Sequence, residues 1–200
     1  VAALTFAEGG NHEPHRDVRC VAFDGERLRT VDGRDLGAGG VPFAETPVVY
    51  DSGAGHDAWV WDCAHADAPE VVYATFPTPE EHVYRYARWT GTEWRDRYLA
   101  DGDSYIVSGN DELYYSGGVA LDPEERGVCY LSAGDHSGST LQRYERAEEG
   151  WRATTVADGE QNVRPVVPWN RHPEAGALWL RGSYTHYADG GYDTRIVGQD

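Results

Sequence analysis

Along most of the chain, apolar and polar residues alternate in short runs ended by Gly, Pro or Asp. No stretch of about 11 to 18 residues keeps a helical period. Alternation with a period of two turns successive side chains to opposite faces of a pleated backbone, so the pattern predicts strands and an all-β chain. The runs also repeat. One set reads HDAWVWDCA (56–64), EVVYATF (70–76), HVYRYARWT (82–90) and EWRDRYLAD (93–101). The next reads YYSGGVALD (114–122), GVCYLSA (127–133), TLQRYERA (140–147) and GWRATTVAD (150–158). Arg85-Tyr86 aligns with Arg143-Tyr144 at an offset of 58, and Trp94 with Trp151 at 57, a drift of one residue across a loop. A third set comprises NVRPVVPWN (162–170), GALWLRGSY (176–184) and YDTRIVG (192–198), without a fourth strand. RCVAFDG (19–25) and ERLRTVDG (26–33) read as the last two strands of an earlier set.

Four short strands per unit at near-even spacing predict a β-propeller, in which the first strand of each blade borders the central channel and the fourth faces outward. The expected organisation is one propeller domain or fragment over 1–200, with the end of a blade at 19–33 and blades at 55–101, 114–158 and 162–198. A two-sheet sandwich is the rival, although it does not call for near-periodic four-strand units. About three four-stranded blades plus a partial one cannot close a ring that typically takes ~4–8. Missing upstream blades or a partner chain are therefore expected to complete it, or to cover the edge it leaves.

Charge narrows the partners. The chain of 200 residues has 17 basic and 34 acidic side chains, a net charge of −17, and every basic residue is Arg. Without clustered Lys and Arg, no general nucleic-acid partner is expected. Two readings of the balance stand: a halophilic surface kept hydrated by carboxylates, or the Arg preference of a GC-rich genome, which explains the missing Lys but not the acid excess. No run of about 18 apolar residues predicts a membrane span. Val1 in place of Met reads as a fragment or a processed chain. VAALTFAEGG is too short and uncharged for a signal peptide, so an extracellular address is expected only with an export signal upstream. Cys20, Cys63 and Cys129 lie far apart in strand-like runs and read as small buried hydrophobes. His12 and His15 form an H-x-x-H pair, but the intervening Glu-Pro disfavours the helix that would aim both rings at one metal.

The segments GHDAWVWD (55–62), YRYARWTGTEW (84–94), YYSGGVALDP (114–123), VRPVVPWN (163–170) and LWLRGSYTHYADGGYDTRIVG (178–198) resemble the BNR-repeat propeller family that includes ulvan-lyase-type polysaccharide lyases. FDGERLRTVDG (23–33) is similar to that family's blade ending. The resemblance covers roughly 18 to 198 and is most specific at YSGG with its following LDP and at W-x-x-G-x-Y; sialidase-type Asp-boxes are absent from the sequence. It implies a propeller, commonly seven-bladed, with a groove at one end of the channel where a uronate-containing polysaccharide is cleaved by β-elimination. A glycoside hydrolase on the same scaffold and a non-catalytic glycan-binding propeller are the alternatives.

Elimination at a uronate needs a cation for the carboxylate, a base for the C5 proton and an acid for the leaving oxygen, which Arg, His and Tyr supply without a cofactor. The loop carboxylates and histidines leave room for a structural calcium or zinc ion. The catalytic candidates are His56, His82, Tyr115 and Tyr184. His56 opens an inner strand, and His82 follows Pro-Glu-Glu at a loop tip. The resemblance implies that two His from adjacent strands act as a pair. Tyr115 is preferred over Tyr114 ahead of Ser116-Gly117-Gly118. Substrate-binding candidates are Arg164, suited to a bidentate carboxylate grip or to pairing with Asp57 or Asp62, then Arg181, and Tyr187, which with Tyr184 offers a stacking surface for sugar rings. A hydrolase would need two carboxylates, and Asp57, Asp62, Glu112 and Asp122 are all available without a spacing that selects a pair.

Overall fold

The computed structural model describes residues 2–7, 15–65, 67–106, 114–170, 176–186 and 191–199. Among these the chain is all-β, as the alternation predicts, with helix confined to 3-10 turns at Phe43–Glu45 and Ser52–Ala54. The first sheet orders β1 (Ala2–Ala7), β2 (His15–Phe23), β3 (Leu28–Arg29) and β4 (Asp35–Gly37), with β5 (Val48–Tyr50) added against β2. An antiparallel meander follows: β6 (Asp57–Ala64), β7 (Glu70–Thr78), β8 (Glu81–Trp89) and β9 (Trp94–Asp103). A second meander holds β10 (Val119–Leu121), β11 (Val128–Asp135), β12 (Gly138–Ala147) and β13 (Gly150–Ala157). One parallel pair, Asp103 with Gly134, joins the two meanders. The last sheet is β14 (Gln161–Val166), β15 (Leu178–His186) and β16 (Gly191–Gly198). None of these sheets closes on itself among the described residues.

The repeat read from the sequence matches these units strand for strand, with two differences. The 19–33 stretch supplies most of β2 and all of β3, so it lies in the middle of its sheet, with β1 before it and β4 after it. Tyr114–Gly118 lies outside the ladder, which shortens the first strand of the second meander to Val119–Leu121.

Alternate residues of the inner strands build alternate cores. Val71 and Tyr73 of β7 pack with Val18, Cys20 and Val49 of the first sheet. Val72, Ala74 and Phe76 of the same strand pack with Val119, Leu121, Cys129 and Leu131 of the next meander. Ala120, Val128 and Tyr130 then meet Val167, Ala177 and Trp179 of the last sheet. Each meander is thus buried on both faces, which is why EVVYATF and VCYL read as near-continuous apolar runs. Three apolar layers separate successive units, and β10 contacts β6 on one side and β14 on the other.

Hydrogen bonds stitch the units at the spacing of the repeat. His65 Nε2 lies 3.0 Å from the Asp122 carbonyl, 57 residues away, and Leu121 N donates to Asp62 Oδ2 at 3.0 Å across 59 residues. Gly127 N donates to Glu70 Oε2 at 3.2 Å, again 57 residues apart. In a tandem array each element lies beside its own equivalent, so bonded partners are separated by the repeat length. None of the three cysteines is in a disulfide; Cys20 and Cys129 are buried as expected, and Cys63 is half-buried. Burial pushes the Cys20 thiol up to about 12 and raises Cys129 further, with the Glu70 carboxylate adding to the shift.

Candidate functional site

Two bulges and a glycine pair assemble one cluster on the first strands. In β6, Val60 pairs with Tyr73 and Asp62 with Val72, leaving Trp61 unmatched. In β14, Val163 pairs with Leu180 and Val166 with Leu178, so Arg164 and Pro165 together oppose Trp179. An extra residue bends a strand and re-aims its side chains. Arg164 accordingly has φ 58, a left-handed conformation that costs a non-glycine residue on the order of 1–3 kcal/mol.

The Tyr114–Gly118 segment holds that bend in place. Arg164 N donates to the Gly117 carbonyl at 2.7 Å, and Ile106 N to the Tyr115 carbonyl at 3.0 Å. Gly118 N donates to the Tyr84 hydroxyl at 2.7 Å, while Ser132 N donates to the Gly118 carbonyl at 2.9 Å. Both glycines answer to packing. A Cβ on Gly117 would collide with the Ser132 side chain, and Gly118 has φ +104 with the Trp61 ring 3.1 Å from where its Cβ would stand.

The result is an arginine set on aromatic faces. The Arg164 guanidinium carbon lies 4.5 Å from the Trp61 ring centroid and 4.1 Å from that of Tyr115. Trp59 stacks on Trp61 at 6.0 Å and meets the Tyr115 ring edge-on, also at 6.0 Å. No carboxylate lies within 4.0 Å of Arg164 among the described residues; the pairing with Asp57 or Asp62 that the sequence left open is not formed. Asp57 instead faces Arg16 at 4.0 Å. Asp62 is spent on the backbone amides of Leu121 and Cys63, and burial raises its pKa despite them. Asp122 accepts from the amides of Glu124 and Glu125. Glu112 and His12 fall outside the described residues, as does the side chain of His15.

Of the predicted site residues, Tyr115 and Arg164 come together. His82 is not at a loop tip: it lies in β8, 1% exposed, with Nε2 3.1 Å from the Pro79 carbonyl and its ring 4.8 Å from Phe76. Phe76 in turn meets Tyr114 at 5.2 Å, so ring contacts lead from His82 to the residue beside Tyr115. His56 is exposed just before β6, its amide donating to the Tyr50 hydroxyl at 2.7 Å. No hydrogen bond or ring contact joins the two histidines. Arg181 is tied elsewhere, with Nη2 donating to the Asp158 carbonyl at 3.0 Å and Nε 3.7 Å from Glu160. The backbone of Tyr184 belongs to β15; its side chain, and all of Tyr187, lie outside the described residues. Sequence reasoning missed Trp59 and Trp61, whose W-x-W spacing on an inner strand was the available signal.

Beside His82 lies a cavity of about 740 Å³ lined by Glu80, Glu81, Asp101, Asp103 and Asp135. Burial, then the charges of Asp101 and Asp135, raise the pKa of Asp103. Asp135 is lowered, chiefly by its bond from the Ser137 hydroxyl. Among the described residues no group of three or more His, Cys, Asp or Glu is arranged to hold a metal ion. No known family model matches the chain, and comparison with curated protein sequences finds no relative.

Proposed function

We propose that the chain is a carbohydrate-active β-propeller, its four-strand units serving as blades, that grips a uronate-containing glycan at Arg164 and cleaves it by β-elimination. The observation that carries this reading is the Arg164 guanidinium, held over Trp61 and Tyr115 with no carboxylate in reach among the described residues, in a chain with twice as many acids as bases. The tandem stacking, with β10 between β6 and β14, supports a radial arrangement that brings the first strands around a common axis.

The chemistry follows from the pair. The free edge of the guanidinium takes the C6 carboxylate as a bidentate partner and, by neutralising it, acidifies the C5 proton. Tyr115 beside it, acting as the phenolate, removes that proton and holds it as the neutral phenol. The electron pair becomes the C4–C5 double bond, the C4–O bond breaks, and a proton passes to the leaving oxygen. Trp59 and Trp61 supply apolar surface for a sugar face.

The test is incubation with pectic or ulvan polymers, read by the ultraviolet absorbance of the new unsaturated uronate. Tyr115→Phe is expected to lower turnover by about a hundredfold or more with the fold intact; unchanged turnover refutes the role. One observation favours a second reading, a glycan-binding propeller without a reaction: His82, 1% exposed, is closed off from substrate. Binding with neither absorbance nor new reducing ends would establish that alternative. Reducing ends without absorbance would mean hydrolysis, against which stands the use of Asp62 and Asp122 on backbone amides.

A further inference from the structure

A second cationic feature lies on the later strands of the first meander. β8 and β9 pair Tyr86 with Arg97 and Arg88 with Arg95. Directly opposed residues share a face, so these two rungs, separated by the Ala87–Asp96 rung that points the other way, present three arginines together. The β12–β13 turn of the next unit adds Arg146 and Glu148, and a cavity of about 230 Å³ lies between, lined by these six residues among others.

The arrangement is unfavourable as it stands. Like charges directly opposed destabilise a strand pair, and acids outnumber arginines two to one, so partners are plentiful. Yet Arg88, Arg97 and Arg146 have no carboxylate within 4.0 Å among the described residues, and Arg95 reaches only the exposed Glu93, at 3.3 Å. Arg88 Nε is buried without a hydrogen-bond partner among the described residues. Glu70, buried and opposite Arg88 in register, accepts from Gly127 N at 3.2 Å and faces His65 Nε2 at 3.7 Å through Oε2, while its Oε1 has no hydrogen-bond partner among the described residues and no ion pair within 4.0 Å joins it to Arg88. Glu148 is the sole carboxylate of the lining.

We propose that this cavity binds a multiply charged oxyanion, a phosphate or sulfate group, held by Arg88, Arg97 and Arg146 with Arg95 at the rim. Planar guanidinium forks match tetrahedral oxyanions two oxygens at a time. The volume is below the ~300–1,000 Å³ of sites that enclose a whole small molecule. The charged group itself therefore enters, either as a free ion or as the end of a larger ligand.

The experiment compares thermal unfolding and calorimetric binding in sodium phosphate, sulfate and chloride at matched ionic strength, because any salt screens a chain of this charge. Dextran sulfate provides the polymer arm. Phosphate or sulfate is expected to raise Tm above chloride, with affinity falling at least about tenfold in the double variant Arg97→Gln/Arg146→Gln. Both side chains are exposed, and so is Arg152, whose Arg152→Gln control lies outside the cavity lining and should bind as the parent does. Dextran sulfate bound where the free ions are not, and lost in the double variant, supports the site with its anion on a larger ligand. Equal Tm in the three salts with no polymer binding, or binding that survives the double variant, overturns the proposal.

Discussion

The arginine resting on Trp61 and Tyr115 and the cavity beside His82 differ in the sign of the charge they leave unanswered. The first holds a single cation over two aromatic faces, out of reach of any described carboxylate. The second gathers five carboxylates with no arginine in its lining. Arg85 shows the ordinary outcome in this chain: it donates through Nε to Asp96 at 2.9 Å, and the Tyr73 hydroxyl joins the same carboxylate at 2.7 Å. Arg164 stays clear of acids because a bulge turns it onto aromatic rings, whereas the carboxylates of the cavity collect where strand ends and turns bring them together. The ligands the two regions can take are therefore opposite in charge.

The strongest way to break that contrast is Arg164→Gly. If Arg164 is kept for an anion, binding of uronate oligosaccharides should fall by about a hundredfold, the scale of removing one partner of a desolvated charge pair. Stability should stay within about 1 kcal/mol of the parent. Glycine adopts φ 58 without strain, which offsets the lost cation–π contacts and the freer unfolded chain. Calorimetry and urea unfolding on the same variant read both quantities. A loss of several kcal/mol with binding intact would make Arg164 a structural arginine like Arg85.

Tyr84 connects the two regions. Its hydroxyl accepts from Gly118 N at 2.7 Å, and its ring fills the space beside Gly102, where a Cβ would stand 2.8 Å from Cε2. Gly102 lies between Asp101 and Asp103 of the cavity. Tyr84→Phe leaves the Gly118 amide unsatisfied in the interior, a cost of about 1–3 kcal/mol. Because Gly118 adjoins the carbonyl that holds Arg164, glycan affinity should fall with stability. The acid titration of the cavity should not move. A variant whose binding is unchanged while Tm drops would show that the hydroxyl serves the fold alone.

Strand limits were legible because they follow from short-range chemistry. Alternation sets each run, and Gly, Pro and Asp end it, so EVVYATF becomes β7 with little shift. Arg164 was legible as an inner-strand residue, whereas Tyr115, read as one, lies just ahead of the ladder. Their contact was not legible, since it depends on a bulge that pairs Val163 and Val166 with Leu180 and Leu178 across the ladder. His82 was misplaced for a related reason. Pro-Glu-Glu reads as an open loop, but Thr78 pairs with Glu81, a tight turn that carries the next side chain onto Phe76. The W-x-W spacing was there to flag Trp61, but nothing local marks it as the unmatched residue of β6.

The smallest effect concerns Asp103, which tests whether the cavity's charges repel one another. Its folded-state pKa is raised by burial and by Asp101 and Asp135, so above the ordinary carboxylate value of 3.8 the folded chain holds the proton longer than the unfolded chain does. Stability attributable to this group therefore rises as pH falls through its raised pKa and levels off below 3.8. Asp103→Asn removes the charge at neutral pH and keeps a side chain tolerant of φ 63. Unfolding at neutral pH and low salt should show a gain of no more than about 0.5 kcal/mol, limited by solvent screening. The gain should shrink toward zero on acidification and on adding salt. A variant less stable than the parent at neutral pH would mean that Asp103 answers a cation in the cavity, and the two regions would no longer differ in sign.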